Sequence, residues 1–188
     1  YNHFRLSIET DKIDARISLG IPTDAFVLGY LGSIGKMYML DKFFQLFVIA
    51  TKNRANCHAV LITPDTDQLK PLMNSHLAHN LLERIHIKSA THDQVPNLLP
   101  AMDVMVSFIT STYARMGASL TKMAECFAVG IPVVANSGVG DVKQIIDQLD
   151  GGWMVDSLSE DRLMETAQNL DIISAKGGRR LRDVSRPI

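Results

Sequence analysis

A doubly wound parallel α/β sheet of about six strands, Rossmann-like and with helices on both faces, is the fold class this sequence predicts. Three observations predict it. Short apolar runs at residues 26–31, 58–63, 103–107 and 131–135 have strand length and hydrophobic character without clean alternation, as strands buried on both faces do. Between them lie stretches with apolar residues at helical spacing, and such βαβ repetition with right-handed crossovers gives a parallel sheet. Gly130 stands between one helical stretch and the run that follows, where glycine takes the left-handed conformation at low cost and ends a helix.

Composition narrows the function. A length of 188 residues suits one domain with a full core, and a hydrophobic fraction of 46% is ordinary for a globular chain. No apolar run approaches the length of a membrane span. A formal net charge of −1 argues against binding nucleic acid through phosphate neutralisation. Cys57 and Cys126 lie far apart without metal-type spacing, and Cys126 falls in a core-facing helix pattern, so both read as buried thiols of a reducing compartment. The six histidines are scattered, with no His-x-x-x-His or Cys-x-x-Cys pair, and no metal site is expected. Tyr1 is not a natural start, so a fragment of a longer chain is expected.

The elements follow in order. Residues 1–20 are amphipathic and mostly helical in pattern, with Ile13, Ile17 and Leu19 on one side and Asp11, Asp14 and Arg16 elsewhere. The Gly20-Ile21-Pro22 turn ends that segment. Residues 26–31 form the first central strand and lead into Gly32-Ser33-Ile34-Gly35. Such a loop lets backbone N–H groups approach a phosphate with no Cβ in the way, or it is simply a tight strand-to-helix turn. Its spacing is not G-x-G-x-x-G, so NAD is not supported. Residues 40–51 form a helix that packs Phe43, Phe44, Leu46, Phe47 and Ile49 on the sheet. A second strand at 58–63 stops at Pro64, and a helix covers 67–80. Residues 84–88 alternate as a strand nearer the edge does. In the loop 89–92, His92 reads as a helix-start neighbour before a catalyst. A short helix at 94–101, a fourth strand at 103–107 and a polar loop at 108–117 follow.

The stretch 119–146 organises the rest. Ser119 and Thr121 are suited to starting a helix, and Lys122 to Ala128 continue it with one acid, Glu125. Residues 131–135 form a buried strand, residues 136–140 turn, and Asp141 caps the next helix. Residues 151–155 read as a last strand and 157–170 as a helix. The tail carries Arg179, Arg180, Arg182 and Arg186, which suit a solvated helix face or a patch for acidic lipid headgroups. In open parallel sheets ligands lie beyond the carboxyl ends of the strands near the switch point. Residues 32–35, 107–115 and the start of the 119 helix converge there.

The run Glu125-Cys126-Phe127-Ala128-Val129-Gly130-Ile131-Pro132-Val133-Val134-Ala135 resembles the E-A-M-A-x-G-x-P-V-V-A signature of retaining family-4 (group 1) glycosyltransferases. Ser119-Leu120-Thr121-Lys122 precedes it and Ser137-Gly138-Val139-Gly140-Asp141 follows. Arg16-Ile17-Ser18-Leu19-Gly20-Ile21-Pro22, the G-S-I-G-K-M-Y run from Gly32 and Val95-Pro96-Asn97-Leu98-Leu99 also resemble the family's wording. The resemblance implies the second, donor-binding domain of a GT-B hexosyltransferase: linker end at 1–22, nucleotide-sugar domain at 23–173, and the start of a crossover segment at 174–188. It also implies an acceptor-binding N-terminal domain, no metal, a role in polysaccharide biosynthesis, and a cytoplasmic protein with peripheral membrane association of the whole enzyme.

Under that resemblance each part of a nucleotide diphosphate sugar finds a candidate. Glu125 would accept hydrogen bonds from the ribose hydroxyls; the bland reading is an acid paired with Lys122 on an exposed helix. Lys122 and Arg115 would neutralise the diphosphate as catalytic cations, with Ser119 and Thr121 beside them at a helix N-terminus. Gly32, Ser33 and Gly35 would approach the phosphates, and Thr91 the base. Ser33 stands where many members hold an arginine, and Lys36 lies closer than their usual lysine. Gly117 stands where many hold a second glutamate. Those departures keep a non-catalytic α/β nucleotide-sugar-binding or interaction domain as the alternative, beside a hexosamine epimerase of the same architecture.

Overall fold

The computed structural model describes residues 4–110 and 116–185, with the side chains of 116–120 left aside. Chain order is α1 (Glu9–Leu19), β1 (Phe26–Leu31), α2 (Leu40–Asn53), β2 (Cys57–Ile62), α3 (Thr66–His76), α4 (His79–Leu82) and β3 (Ile85–Lys88). Then come α5 (Val95–Leu98) with a 3-10 turn (Leu99–Ala101), β4 (Val104–Ser107), α6 (Met116–Val129), β5 (Val133–Asn136), α7 (Val142–Leu149) and β6 (Gly152–Val155). The chain closes with α8 (Glu160–Gln168), α9 (Leu170–Ser174) and α10 (Arg179–Ser185). The strands form one six-stranded sheet in the order β3-β2-β1-β4-β5-β6, every neighbouring pair parallel. The order reverses between β1 and β4, which opens a crevice beyond their carboxyl ends.

Each face of the sheet carries its own core. On one, Phe43, Phe44 and Phe47 of α2 pack with Leu69 of α3, Leu163 of α8 and Leu170 of α9. On the other, Ala15 of α1, Val95 and Leu98 of α5 and Met123, Cys126 and Phe127 of α6 pack with α7 and Leu181 of α10. The strand residues Val27, Leu28, Val60, Leu61, Val133 and Val134 are fully buried, as expected of strands covered on both sides. Both cysteines are buried and unpaired, as the sequence reading expects.

Several boundaries depart from expectation for local reasons. Helix α6 ends in a Schellman closure: Gly130, at φ +86°, donates its N–H to Phe127 O at 2.9 Å, and Ile131 donates to Cys126 O at 2.8 Å. Ile131 therefore still belongs to the helix end, and the strand expected over 131–135 begins at Val133. The same helix starts at Met116, not Ser119, so Ser119 closes its first turn and Thr121 and Lys122 sit in the second. Asp141 stands before α7 but makes no side-chain capping bond. The helix expected over 67–80 is broken after His76, and that over 157–170 starts only at Glu160 and breaks at Asn169.

The first helix is the larger correction. Ile17 is 64% exposed, whereas Arg16 is buried at 3%. Arg16 Nη2 donates to Asp103 Oδ2 at 2.8 Å, Nη1 to Thr23 O at 2.6 Å and Nε to Ala101 O at 3.1 Å. Asp103 also accepts from Val27 N–H at 2.7 Å and from Lys12 Nζ at 2.7 Å. A buried arginine is tolerated because every part of its guanidinium finds an acceptor. This cluster pins α1 beneath the amino ends of β1 and β4, at the opposite end of the strands from the crevice.

Candidate functional site

Beyond the carboxyl ends of β1, β2 and β3, where α6 passes the sheet, lies a cleft of about 420 Å³, lined among others by Gly32, Ser33, His92, Thr121, Lys122 and Glu125. That volume falls in the range of small-molecule sites, about 300–1,000 Å³. Lys122 and Glu125 share it because three residues apart on a helix means one face. Glu125 does not pair with Lys122, as the bland reading would have it. Its Oε1 lies 3.7 Å from Nδ1 of His92, and its side chain is 14% exposed against 69% for His92. Burial pushes the Glu125 carboxyl above its ordinary range, against the pull of the His92 and Lys122 charges.

Lys122 turns the other way, across the β1 loop. Its Nζ donates to Tyr38 Oη at 3.4 Å, sits 4.7 Å from the centre of the Tyr38 ring, and presses on Gly32 so closely that a Cβ there would collide with it. Gly32 has φ +146°, a region side-chain-bearing residues avoid. The loop itself is tied down. Gly32 donates its N–H to Ile62 O at 3.0 Å, Ile34 donates to Asp65 Oδ2 at 2.8 Å, and Tyr30 Oη donates to Ser33 O at 2.6 Å. Two of the four loop N–H groups are thus spent internally. Those of Ser33 and Gly35 have no partner among the described residues, and of the two only Ser33 lines the cleft.

The remaining sequence candidates divide. Gly35 lies in the exposed turn whose carbonyl accepts from Tyr38 N–H, outside the residues lining the cleft, and Lys36 is exposed beside it. Thr91 is exposed and donates its N–H to Gln94 Oε1 at 3.0 Å, while its neighbours Ala90 and His92 line the cleft. Arg115 lies outside the described residues, and so does the side chain of Ser119. Asp65 and Asn136 were given no site role from the sequence, and Tyr38 stood there only as the last residue of the G-S-I-G-K-M-Y run. Asp65 holds the β1 loop, Tyr38 holds Lys122, and the buried Asn136 clasps Ile109, accepting from its N–H at 2.8 Å and donating to its carbonyl at 2.9 Å. Among the described residues, no group of three or more His, Cys, Asp or Glu side chains is placed to hold a metal ion, and no helix is long and apolar enough to cross a membrane.

The family model of the group 1 glycosyl transferases matches residues 11–170, most of the chain. This chain is a group 1 glycosyltransferase domain. Solved structures agree in fold. The C-terminal domain of the group 1 protein LpcC from Francisella tularensis matches with TM-score 0.73 and 18% identity, over 99% of this chain and 95% of that one. WaaG, a glycosyltransferase involved in lipopolysaccharide biosynthesis, matches with TM-score 0.74 and 17% identity, over 97% of this chain and 48% of its own. Anabaena HepE, in complex with UDP-glucose, matches with TM-score 0.73 and 17% identity, over 99% of this chain and 49% of its own. The chain therefore spans about half the length of WaaG and of HepE. A search of curated protein sequences returns no match.

Proposed function

We propose that this domain is the donor-binding half of a hexosyltransferase, taking a nucleotide diphosphate sugar in the cleft between the β1 loop and α6. The observation that carries the reading is the cleft's division of charge. A shielded carboxylate, Glu125, and a cation, Lys122, line one small space but face different neighbours, His92 on one side and Gly32 on the other. A nucleotide diphosphate sugar has the matching parts: a diol that donates hydrogen bonds and a dianionic bridge that needs a cation. Glu125 would accept from the ribose hydroxyls. Lys122, with the Ser33 N–H group, would take the diphosphate and stabilise the charge that grows on it as the glycosidic bond breaks. The HepE complex with UDP-glucose supports the same class of donor.

Transfer also needs an acceptor, which the reading assigns to a preceding domain of a longer chain working in the cytoplasm, with peripheral membrane association. The test is calorimetric titration of the wild-type domain and Glu125→Ala with UDP, GDP, CMP and their sugar donors. Saturable binding of one nucleotide, weakened about ten- to a hundred-fold by the substitution, is expected from the loss of a hydrogen-bonded charge. Equal binding by both proteins would remove Glu125 from the site.

A further inference from the structure

We infer that Tyr38 is a positioning residue for Lys122, fixing its ammonium over the β1 loop where the donor's diphosphate would lie; the inference rests on the donor-binding reading above. A lysine head on a four-carbon stem is mobile, and side-chain entropy opposes any single placement. Tyr38 offsets that with two contacts to one ammonium: the phenol oxygen at 3.4 Å, and the ring face with its centre at 4.7 Å. The second is a cation–π geometry, which draws the charge to the ring. Gly32 completes the seat, since only a residue without Cβ leaves room for Lys122 Nζ.

Tyr38 is itself held at its ring and at its backbone. Its ring meets Tyr30 edge-on, with centroids 6.3 Å apart. Its backbone pairs with Ile109 in an antiparallel bridge, flanked by Met39 N–H to Phe108 O and Thr110 N–H to Met37 O, both at 2.9 Å. Asn136, 8% exposed at the end of β5, clasps Ile109 from behind by both its N–H and its carbonyl. A rigid line thus runs from β5 through Ile109 and Tyr38 to the ammonium on α6. A phenol needed only for packing would not have its ring and oxygen both turned to a cleft cation.

The test is a double-mutant cycle read by calorimetry, with UDP and GDP as probes. Tyr38→Leu is expected to weaken binding of whichever diphosphate binds by roughly three- to thirty-fold, the span of exposed to desolvated cation–π contacts. Tyr38→Phe, which keeps the ring face and the packing, is expected to restore most of the loss. In a Lys122→Ala background, Tyr38→Leu is expected to cost nothing further. Equal losses in both backgrounds would make Tyr38 a structural residue and overturn the inference. No diphosphate binding by the wild type would remove the donor reading and the inference with it. Binding by the wild type that Tyr38→Leu leaves unchanged would remove the inference alone.

Discussion

Replacing Glu125 by Gln separates what this side chain does for binding from what it costs the fold. The carboxyl is largely shielded, and burial raises its pKa above the ordinary 4.5 although His92 and Lys122 both pull it down. A raised value means the folded protein binds this proton more tightly than the unfolded chain does. The acid's favourable contribution is therefore fully present below 4.5 and is lost as pH rises through the folded value. At neutral pH the ionised carboxylate is a burden on the free protein. Gln keeps the shape and removes the charge.

Two opposite effects are therefore expected from one substitution. The melting temperature of Glu125→Gln should exceed that of wild type at neutral pH, and the difference should shrink on acidification and vanish near pH 4.5. Affinity for the nucleotide should fall about three- to ten-fold, less than for Glu125→Ala, because the neutral amide still accepts a hydrogen bond but without the charge. In the wild type, hydroxyls donating to the carboxylate stabilise the anion, so ligand binding at mildly acidic pH should release protons. Calorimetry in two buffers of different ionisation enthalpy reads that release, and the Gln variant should lose it. A variant that is no more stable at neutral pH and binds as tightly as wild type would refute the reasoning at both ends.

Other substitutions probe the frame around the site. Gly32→Ala forces a Cβ into a positive-φ position and into Lys122 Nζ, so it should cost about 1–3 kcal/mol in a denaturant melt and lower diphosphate affinity, with little added effect once Lys122 is already Ala. Arg16→Met leaves the Asp103 carboxylate, the Ala101 carbonyl and the Thr23 carbonyl without their guanidinium. A loss of about 3–5 kcal/mol, or roughly 6 to 20 °C in melting temperature, should follow while affinity at the far end of the strands stays unchanged. Burial pushes the Cys57 thiol up to about 12 and Cys126 higher still, so neither should react with an alkylating reagent at about pH 8 until the protein unfolds, as mass spectrometry would read.

Apolar pattern made the layered fold legible. Strand-length apolar runs and helical periodicity report the burial of carbon, and they led to a parallel sheet of six strands with helices on both faces, which is what the structure has. The same signal misplaced Arg16. Periodicity assigns a charged residue to water unless its partner is known, and its partner Asp103 lies 87 residues away, brought near only by the sheet order. Ile17, the next residue on the helix, faces outward instead. Helix ends were legible only where glycine marks them, as at Gly20 and Gly130. The start of α6 carries no comparable mark, and the helix runs three residues earlier than Ser119.

The site divides along the same line. Glu125 and Lys122 stood out because two charges interrupt an otherwise apolar helix, and such an interruption either faces water or faces a ligand. Their places in one cleft follow from helical spacing alone. Asp65 and Asn136 lacked that contrast, since an aspartate and an asparagine in turns are ordinary turn chemistry, and Tyr38 stood only at the end of a motif run with no role attached. What sets them apart is where the parallel order puts them. Strands β1 and β4 are neighbours across the switch point, so the loops leaving them meet, and Tyr38 pairs with Ile109. Strand β5 comes next, and its last residue, Asn136, reaches the same backbone. The two charged side chains that would touch a ligand were thus written in one helix. Those that hold the helix's lysine in place became visible only once the strand order was known.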